Sequence, residues 1–284
     1  MKVLVAFDRS AGALDAMKLA DALPWPNGTV IEVVHSVPAM TLLGGVTVAP
    51  HPAETLDPVA LGLLHARPGV TVVSKKVAGE NASAALLDEA KLFGADLIIC
   101  GHRGHGPFVT MFLGSVARDL VEHSRCPVLV ARGHRYQNAV LAEDGSETAY
   151  RARRVLARWP VFRGVGVQVV SVSHVAAPIL SGVTASVYSD ARSAQREAES
   201  ESRHAYGVLA EEAASDLRYA GLHAAAAVRE GDPAEQIIEY ARAVEADLIV
   251  MGTRGRGGMS RALLGSVARA VVLTAPCSTL VVPA

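Results

Sequence analysis

The sequence predicts an α/β fold made of two tandem, doubly wound domains, each with a five-stranded parallel sheet. Three observations support this prediction. The chain has 284 residues, and 50% of them are hydrophobic, which is enough for two domains with separate cores. Apolar runs alternate with helical patterns, as is typical of a parallel sheet covered on both faces. Several segments also recur once, about half a chain later, which indicates a duplicated domain.

The duplication is visible in three pairs of segments. VLVAFDRS at 3–10 recurs as AVLAEDGS at 139–146, which is 136 residues later. ADLIICGHRG at 95–104 recurs as ADLIVMGTRG at 246–255, which is 151 residues later. LGSVAR occurs twice, at 113–118 and 264–269. We therefore expect a first domain over residues 1–134 and a second over residues 138–284.

The apolar runs predict ten strands. In the first half these are 2–7, 30–37, 70–77, 96–101 and 127–131, with helical stretches beginning near Ser10, Ala82 and Gly114. In the second half they are 138–142, 167–173, 224–228, 247–252 and 279–284. The spacing between copies grows from 136 to 151 residues because 189–221 forms a long amphipathic helical pattern. The proline-containing first-half segment supports at most a short helix after a loop.

Composition limits the possible partners. The net charge of −1 and pI of 6.8 offer no general attraction to nucleic acid or to an anionic membrane. No apolar run approaches the ~18–20 residues that span a bilayer, and the first residues lack a signal-peptide pattern. Cys100, Cys126 and Cys277 form no CxxC pair, so we expect buried thiols in a reduced, cytoplasmic protein.

Glycines follow the fourth strand of each half in a repeated pattern, at 101, 104 and 114 and again at 252, 255 and 265. In a doubly wound sheet, ligands bind beyond the carboxyl ends of the strands, where the strand order reverses. Glycines let backbone N–H groups approach closely, and a helix N-terminus suits phosphate. The loops also carry cations, namely Arg103, Arg254, Arg256 and Arg261. The pattern favours a phosphate-binding loop in each half over a set of tight turns.

Serines and aspartates beside these loops allow two interpretations each. Ser115 and Ser266 could cap the next helix or turn their hydroxyls to a phosphate oxygen. An aspartate ends each first strand, with a serine two residues later, as Asp8 and Ser10 and as Asp144 and Ser146. This Asp-x-Ser pattern fits a helix start, and it equally fits an acceptor for a ribose or adenine group. A P-loop is excluded because no lysine follows a glycine.

The pattern G-x₂-G-x₉-G-S after a fourth strand, with Asp at the end of the first strand, resembles the ATP-binding class of universal stress proteins. The resemblance covers nearly the whole chain as two copies and implies that ATP lies between the first and fourth strands. It implies contacts to adenosine from Asp8 and from the backbone near Ser36. It also implies a phosphate and ribose lining made by Gly101, Gly104, Gly114, Ser115 and Val116.

The matching positions of the second copy are Asp144, Val172, Gly252, Gly255, Gly265, Ser266 and Val267, with Arg254 as the loop cation. Mg²⁺ could accompany the phosphates. The first copy has Pro107 and Phe108 where the second has Gly258 and Met259, which stiffens the first loop. We therefore expect the second site to be the tighter one.

The function expected from these features is that of a stress or signalling protein, in which bound ATP biases conformation or the binding of a protein partner. The glycine loops contain no Asp or Glu, which disfavours efficient turnover. The alternatives are a slow ATP-hydrolysing or adenylyl-transferring enzyme, and an interaction protein with vestigial sites. Related single-domain proteins pair through their last strands, which here correspond to the apolar edges 127–131 and 278–283. The resemblance therefore implies that these strands pair within one chain, which then imitates a dimer. Two chains could also form a homodimer.

Overall fold

A computed structural model of the chain describes residues 1–38, 40–41, 47–48, 62, 64, 67–79, 81–103, 113–174, 185–255 and 264–284. Within these ranges, all ten strands predicted from the apolar runs are present. The short helix allowed for the first half falls almost entirely outside the described residues. The two-domain α/β fold is confirmed, whereas the domain limits at 134 and 138 stay a prediction.

In the described part of the chain, the strands in order are β1 (Lys2–Ala6), β2 (Thr29–Pro38), β3 (Met40–Thr41), β4 (Thr47–Val48), β5 (Val70–Gly79), β6 (Leu97–Gly101), β7 (Val128–Ala131), β8 (Asn138–Ala142), β9 (Gly166–Ser173), β10 (His223–Glu230), β11 (Leu248–Gly252) and β12 (Ser278–Val282). β3 and β4 form a separate antiparallel ribbon. The other ten strands form one continuous sheet.

The helices over the same residues are α1 (Ala11–Ala22), α2 (Ala82–Phe93), α3 (Ser115–His123), α4 (Glu147–Arg158), α5 (Ala185–Tyr219), α6 (Pro233–Ala243) and α7 (Ser266–Thr274). A 3₁₀ turn covers Pro160–Phe162. α2 begins at Ala82, as the sequence predicts, and ends before Gly94 in the left-handed conformation (φ 69°). α5 has 35 residues and confirms the long helix expected in the second half. None of these helices combines the length and apolar character needed to cross a membrane.

The strand order in the large sheet is β10-β9-β8-β11-β12-β7-β6-β1-β2-β5. Neighbours are parallel except β12 and β7, the last strands of the two halves, which pair antiparallel. The expectation that these edges pair within one chain is therefore confirmed. In each half the order reverses between the first and fourth strands, which creates the crevice where doubly wound sheets bind ligands.

The register of the sheet repeats between the halves. Val3 lies opposite Leu97 in the β1–β6 pair, and Ala139 lies opposite Leu248 in the β8–β11 pair. These positions are the ones related by the two sequence offsets of 136 and 151 residues. The duplication thus extends from sequence to backbone pairing.

Two hydrophobic clusters cover the two faces of the sheet. One contains buried residues of α1, α4 and α5, such as Met17, Leu156 and Leu217. The other contains buried residues of α2, α3, α6 and α7, such as Leu120 and Val271. Each cluster runs through both halves, because the sheet itself is continuous. Burial on both faces explains why the central strands are uninterrupted apolar runs.

The cysteines differ more than the sequence predicts. Cys100 and Cys277 are buried, and burial raises the pKa of each thiol to about 12. Cys126 is only half-buried, so the expectation that all three are buried was wrong for this residue. It precedes β7 in a short connection, where its thiol lies 3.4 Å from Ser124 Oγ. All three are free thiols.

Candidate functional site

A cleft of about 450 Å³ lies at the carboxyl ends of β8, β9 and β11, beside the start of α7. It lies at the point where the strand order of the second half reverses. All eight residues predicted for the second site line it, namely Asp144, Val172, Gly252, Arg254, Gly255, Gly265, Ser266 and Val267. The volume falls within the range of about 300–1,000 Å³ typical of small-molecule sites. The residues that the sequence pattern predicts for this site therefore lie together on one concave surface.

Glycines in this loop are required by close approach of the chain. A Cβ at position 252 would lie 2.2 Å from Thr148 Oγ1 and 2.6 Å from the carbonyl carbon of Thr148. A Cβ at position 255 would lie 2.7 Å from Asp144 Oδ2. At position 252 the clash includes the backbone of Thr148, so the chain can lie this close to α4 only with glycine there. At position 255 the clash is with a carboxylate oxygen of Asp144, which would have to move aside.

The start of α7 lines the cleft with first-turn backbone N–H groups. Gly265 is its N-cap (φ −62°, ψ 154°), with no side-chain capping bond, and Ser266 is the first helical residue. In the first half Gly114 holds the same position (φ −61°, ψ 150°) before Ser115. The interpretation of Ser115 and Ser266 as capping residues was therefore wrong. The first-turn N–H groups of a helix have no intrahelical acceptor and attract anions.

The loop is fixed to the helix start by a main-chain bond in each half. The Gly265 N–H donates to Thr253 O at 2.8 Å, and the Gly114 N–H donates to His102 O at 2.8 Å.

The imidazole of His102 is neutral near pH 7. Burial, and then the charge of Arg132, lower the pKa of His102 below its ordinary value.

The Asp-x-Ser segment that precedes α4 has a structural role. Ser146 is the N-cap of α4, with Oγ accepting from the Ala149 N–H at 3.2 Å, and it also donates to Arg254 O at 3.1 Å. Asp144 Oδ1 accepts from the Ser146 N–H at 3.0 Å. The helix-start interpretation is confirmed, and its geometry leaves Asp144 in the wall of the cleft.

The first half repeats this arrangement. Asp8 Oδ1 accepts from the Ser10 N–H at 2.9 Å, and Ser10 Oγ donates to Arg103 O at 3.0 Å. Gly101 lies against Gly12, since a Cβ there would be 2.2 Å from the Gly12 carbonyl carbon. Ser36 lies on β2 opposite Val77, and Val116 follows Ser115 in the first turn of α3. The predicted residues Gly104, Pro107, Phe108, Arg256, Gly258, Met259 and Arg261 lie outside the described residues.

Several lining residues were missed by the sequence analysis. Beyond Val172 the cleft is lined by Val170, Tyr206, Pro233 and Ile237, and by the imidazole of His174, whose Nδ1 lies 3.1 Å from Gly231 O. Pro233 is the first residue of α6 and follows the N-cap Asp232. An aspartate followed by a proline is a sequence pattern that predicts a helix start at this position. Tyr206 comes from α5, and helical periodicity alone does not say which strand end a residue reaches. Glu143, a buried carboxyl whose Oε1 accepts from the Gly145 N–H at 2.8 Å, was also missed.

The cleft therefore has two chemically different ends. Near α7 it has glycines, helix N–H groups and Arg254, and near α5 and α6 it has aliphatic and aromatic side chains together with His174. Asp144 and Glu143 stand between these ends, at the end of β8. Among the described residues there is no cluster of three or more metal-ligating side chains.

Comparisons of the sequence with known proteins place the chain in a family. The family model described as the universal stress protein family matches residues 1–132 and 135–283. Universal stress protein Rv2623 of Mycobacterium tuberculosis is 31% identical over 215 residues, which cover 72% of this chain and 66% of that protein. Universal stress protein MJ0531 of Methanocaldococcus jannaschii is 57% identical over 53 residues, which cover 19% of this chain and 31% of that protein. The chain thus spans less than two thirds of the length of these relatives.

Two solved structures that match nearly the whole chain share the tandem fold. A universal stress protein of Archaeoglobus fulgidus has a TM-score of 0.61 at 16% identity, and the match covers 99% of this chain and 98% of that one. Protein PA1789 of Pseudomonas aeruginosa, of unknown function, has a TM-score of 0.62 at 18% identity, covering 99% and 92%. A family member of Arabidopsis thaliana was solved with AMP bound, with a TM-score of 0.36 at 18% identity over 52% of this chain and 91% of that one.

Proposed function

The chain belongs to the universal stress protein family, and on that premise we propose that the cleft of its second half binds ATP. The observation that carries the proposal is the glycine-lined loop that leads from β11 to the uncapped start of α7. The assignment rests on the residues that line the cleft.

The phosphates bind at the α7 end of the cleft. Ser266 and Val267 offer first-turn N–H groups, and the helix dipole favours negative charge at this position. Gly252, Gly255 and Gly265 have no side chains to block the backbone from a phosphate oxygen. Arg254 lines the same end and supplies positive charge.

The adenosine binds toward β8 and β9. Asp144 is at the end of β8 and can accept from a ribose or adenine group, while one carboxylate oxygen stays bonded to the Ser146 N–H. Val172, in β9, lies on the far side of the cleft from the glycine loop and contributes apolar surface and backbone groups. The base and the phosphates thus each meet suitable chemistry.

The first half has a second, weaker site at Asp8, Ser36, Gly101, Gly104, Gly114, Ser115 and Val116. Its support is the repeated Asp–Ser and Gly–His102 geometry described above. Proline at position 107 is the reason for ranking it below the second site, because it restricts the loop backbone.

The bound nucleotide acts as a signal and is not hydrolysed rapidly. In this proposal ATP favours one arrangement of the glycine loop and α7, and a protein partner binds that arrangement better. The ligand can shift this equilibrium only by its difference in affinity for the two arrangements. Stress response or signalling is the cellular role that fits such a device.

Slow ATP hydrolysis is the second candidate, alongside adenylyl transfer. The observation that favours it is Asp144, whose carboxylate lies against Gly255 in the glycine loop. Mg²⁺ is commonly held by one or two carboxylates together with substrate phosphates, and Asp144 is a carboxylate suited to that role. Bound Mg²⁺ would supply charge neutralisation at the phosphates.

The test is to purify the protein without added nucleotide, denature it and quantify the released nucleotides by chromatography. Gly265→Glu places a carboxylate at the α7 N-terminus, and its Cβ would lie 3.1 Å from Thr253 O. Gly265→Gln has the same size without the charge, and Gly114→Glu is the matched change in the first half. We expect adenine nucleotide from the wild type and its loss mainly with Gly265→Glu.

Circular dichroism of each variant separates loss of binding from loss of folding. A pool of ADP rather than ATP would favour the hydrolysis candidate and call for turnover assays. Absence of bound nucleotide, even after addition of millimolar Mg·ATP to the folded wild type, would overturn the proposal and leave the interaction-protein alternative.

A further inference from the structure

Tyr206 lines the second-half cleft together with residues of β9 and α6. We propose that its ring is the wall against which the nucleotide base stacks, so that Tyr206 sets the preference for a purine. This inference rests on the proposed function and deepens it, because it names the residue that distinguishes one nucleotide from another.

The position of Tyr206 is fixed by the packing of α5. Ser202, four residues earlier on the same helical face, has its hydroxyl 2.8 Å from Ser173 Oγ at the end of β9. Ala210, four residues later, is fully buried, as are Ala213 and Leu217. Tyr206 therefore lies on the sheet-facing side of α5, between a hydrogen bond to the end of β9 and a buried helical face.

A second link holds the same turn of α5 to the neighbouring strand. Arg203 Nη1 lies 2.9 Å from Glu230 Oε1 at the end of β10. The helix is thus joined to two adjacent strand ends within one turn of Tyr206. A ring carried on such a segment loses little additional freedom when a ligand binds.

The chemistry around the ring suits a flat, weakly polar group. Pro233 and Ile237 of α6 and Val172 of β9 line the same end of the cleft. Aromatic rings stack on nucleobases through dispersion and quadrupole interactions, and a tyrosine has only two side-chain torsions to fix. Val172, Pro233 and Ile237 offer phosphate and ribose neither charge nor a hydrogen-bonding group, so they favour the base. His174 also lines the cleft, with its Nδ1 3.1 Å from Gly231 O.

The inference applies to the second half alone. α5 belongs to the segment in which the two copies differ, where the spacing between repeats changes from 136 to 151 residues. The duplicated positions, such as Asp8 and Asp144, are shared by both halves. Base selection by Tyr206 is therefore a property added to a common phosphate-binding framework.

The test compares binding of ATP, CTP and inorganic tripolyphosphate by isothermal titration calorimetry. Tyr206→Ala removes the ring, and Tyr206→Phe keeps it. Tyr219→Ala is the matched control, because Tyr219 ends the same helix and is 97% exposed. We expect Tyr206→Ala to weaken ATP binding about 5- to 150-fold, the range for loss of one base–aromatic stack.

Tripolyphosphate, which has no base, should bind wild type and Tyr206→Ala equally, and the preference for ATP over CTP should narrow in the variant. Tyr206→Phe and Tyr219→Ala should bind ATP as the wild type does. If Tyr206→Ala binds ATP normally, or loses ATP and tripolyphosphate to the same extent, the inference is wrong while the nucleotide site stands. If the wild type binds no ATP, the proposed function itself fails.

Discussion

Arg132, at the end of the first half, donates a hydrogen bond through Nη2 to the main-chain oxygen of Val272 in α7 of the second half, at 2.6 Å. The same nitrogen lies 3.3 Å from Leu273 O, and the Arg132 N–H donates to Ser278 Oγ at 3.1 Å. A cation therefore lies at the carboxyl end of the helix whose amino end faces the cleft. That position is favourable for a positive charge.

Arg132→Met should destabilise the junction between the halves. Hydrogen bonds to a charged group contribute about 1.5–3 kcal/mol, and we expect the free energy of unfolding in urea to fall by about that amount. The control is Arg135→Met, because the Arg135 side chain is 72% exposed and its ion pair with Asp247, whose side chain is 8% exposed, spans 3.4 Å. Solvent screens an arginine this exposed, so we expect a smaller loss of stability than with Arg132→Met. Equal effects of the two variants would contradict a special role for Arg132.

Glu32→Gln should make stability less dependent on pH. Glu32 is buried, and burial, followed by the charge of Glu89, raises its pKa above 4.5, although Lys75 opposes this. The folded state then holds the proton more tightly than the unfolded state, so stability falls as pH rises from 4.5 through the folded pKa. We expect the variant to be the more stable protein at pH 7, with the difference shrinking toward pH 4.

The second half contains a neutral version of this pair. Gln168 and Tyr240 occupy the positions that correspond to Glu32 and Glu89, and Tyr240 Oη donates to Gln168 Oε1 at 3.2 Å. Gln168→Glu is therefore the reciprocal variant and should introduce a loss of stability with rising pH. Urea unfolding between pH 4 and pH 8 checks both variants. A difference between wild type and Glu32→Gln that does not change with pH would rule out this explanation.

Gly252→Ala should destabilise the second half and abolish the close approach of its glycine loop. The added Cβ would lie 2.2 Å from Thr148 Oγ1, and overpacking of this kind costs about 1–3 kcal/mol. Gly207→Ala is the control, because a Cβ there would meet Val228 Cγ2 at an ordinary 3.7 Å on the helix α5. Thermal unfolding compares them, and equal melting temperatures would show that the loop can move away from α4.

Thiol reactivity should follow burial. Thiolate is the reactive form, and Cys100 and Cys277 have pKa values raised to about 12 by burial. Cys126 is half-buried, and burial raises its pKa as well. We expect a soluble disulfide reagent to label Cys126 first and the other two only after denaturation, as read by mass spectrometry of peptides. Early labelling of Cys277 would indicate that the end of α7 opens in solution.

The strands and the glycine-lined loop were predictable because short-range patterns determine them. An apolar run such as LIIC at 97–100 can be satisfied only inside a covered sheet, and the glycine spacing repeats at Gly252 and Gly265. Two details of the site could not be predicted from the sequence. The dipeptide Gly265–Ser266 fits a cap at either residue, and the backbone geometry selects the glycine. Tyr206 reaches the cleft only through the packing of α5 against β9, which no local pattern encodes.

The antiparallel contact of β7 with β12 joins two similar halves of one chain. In a protein with a single copy of the domain, the same contact would need two separate chains to associate. Because one polypeptide carries both strands, dilution does not separate them, and the contact forms at the high effective concentration of an intramolecular encounter. A symmetric pair of identical copies must accept each substitution twice. In this chain a substitution changes one half only. Gly12 corresponds to Thr148, and Glu32 corresponds to Gln168, so the two halves already differ at matching positions. One half can therefore specialise while the other maintains the contact between them.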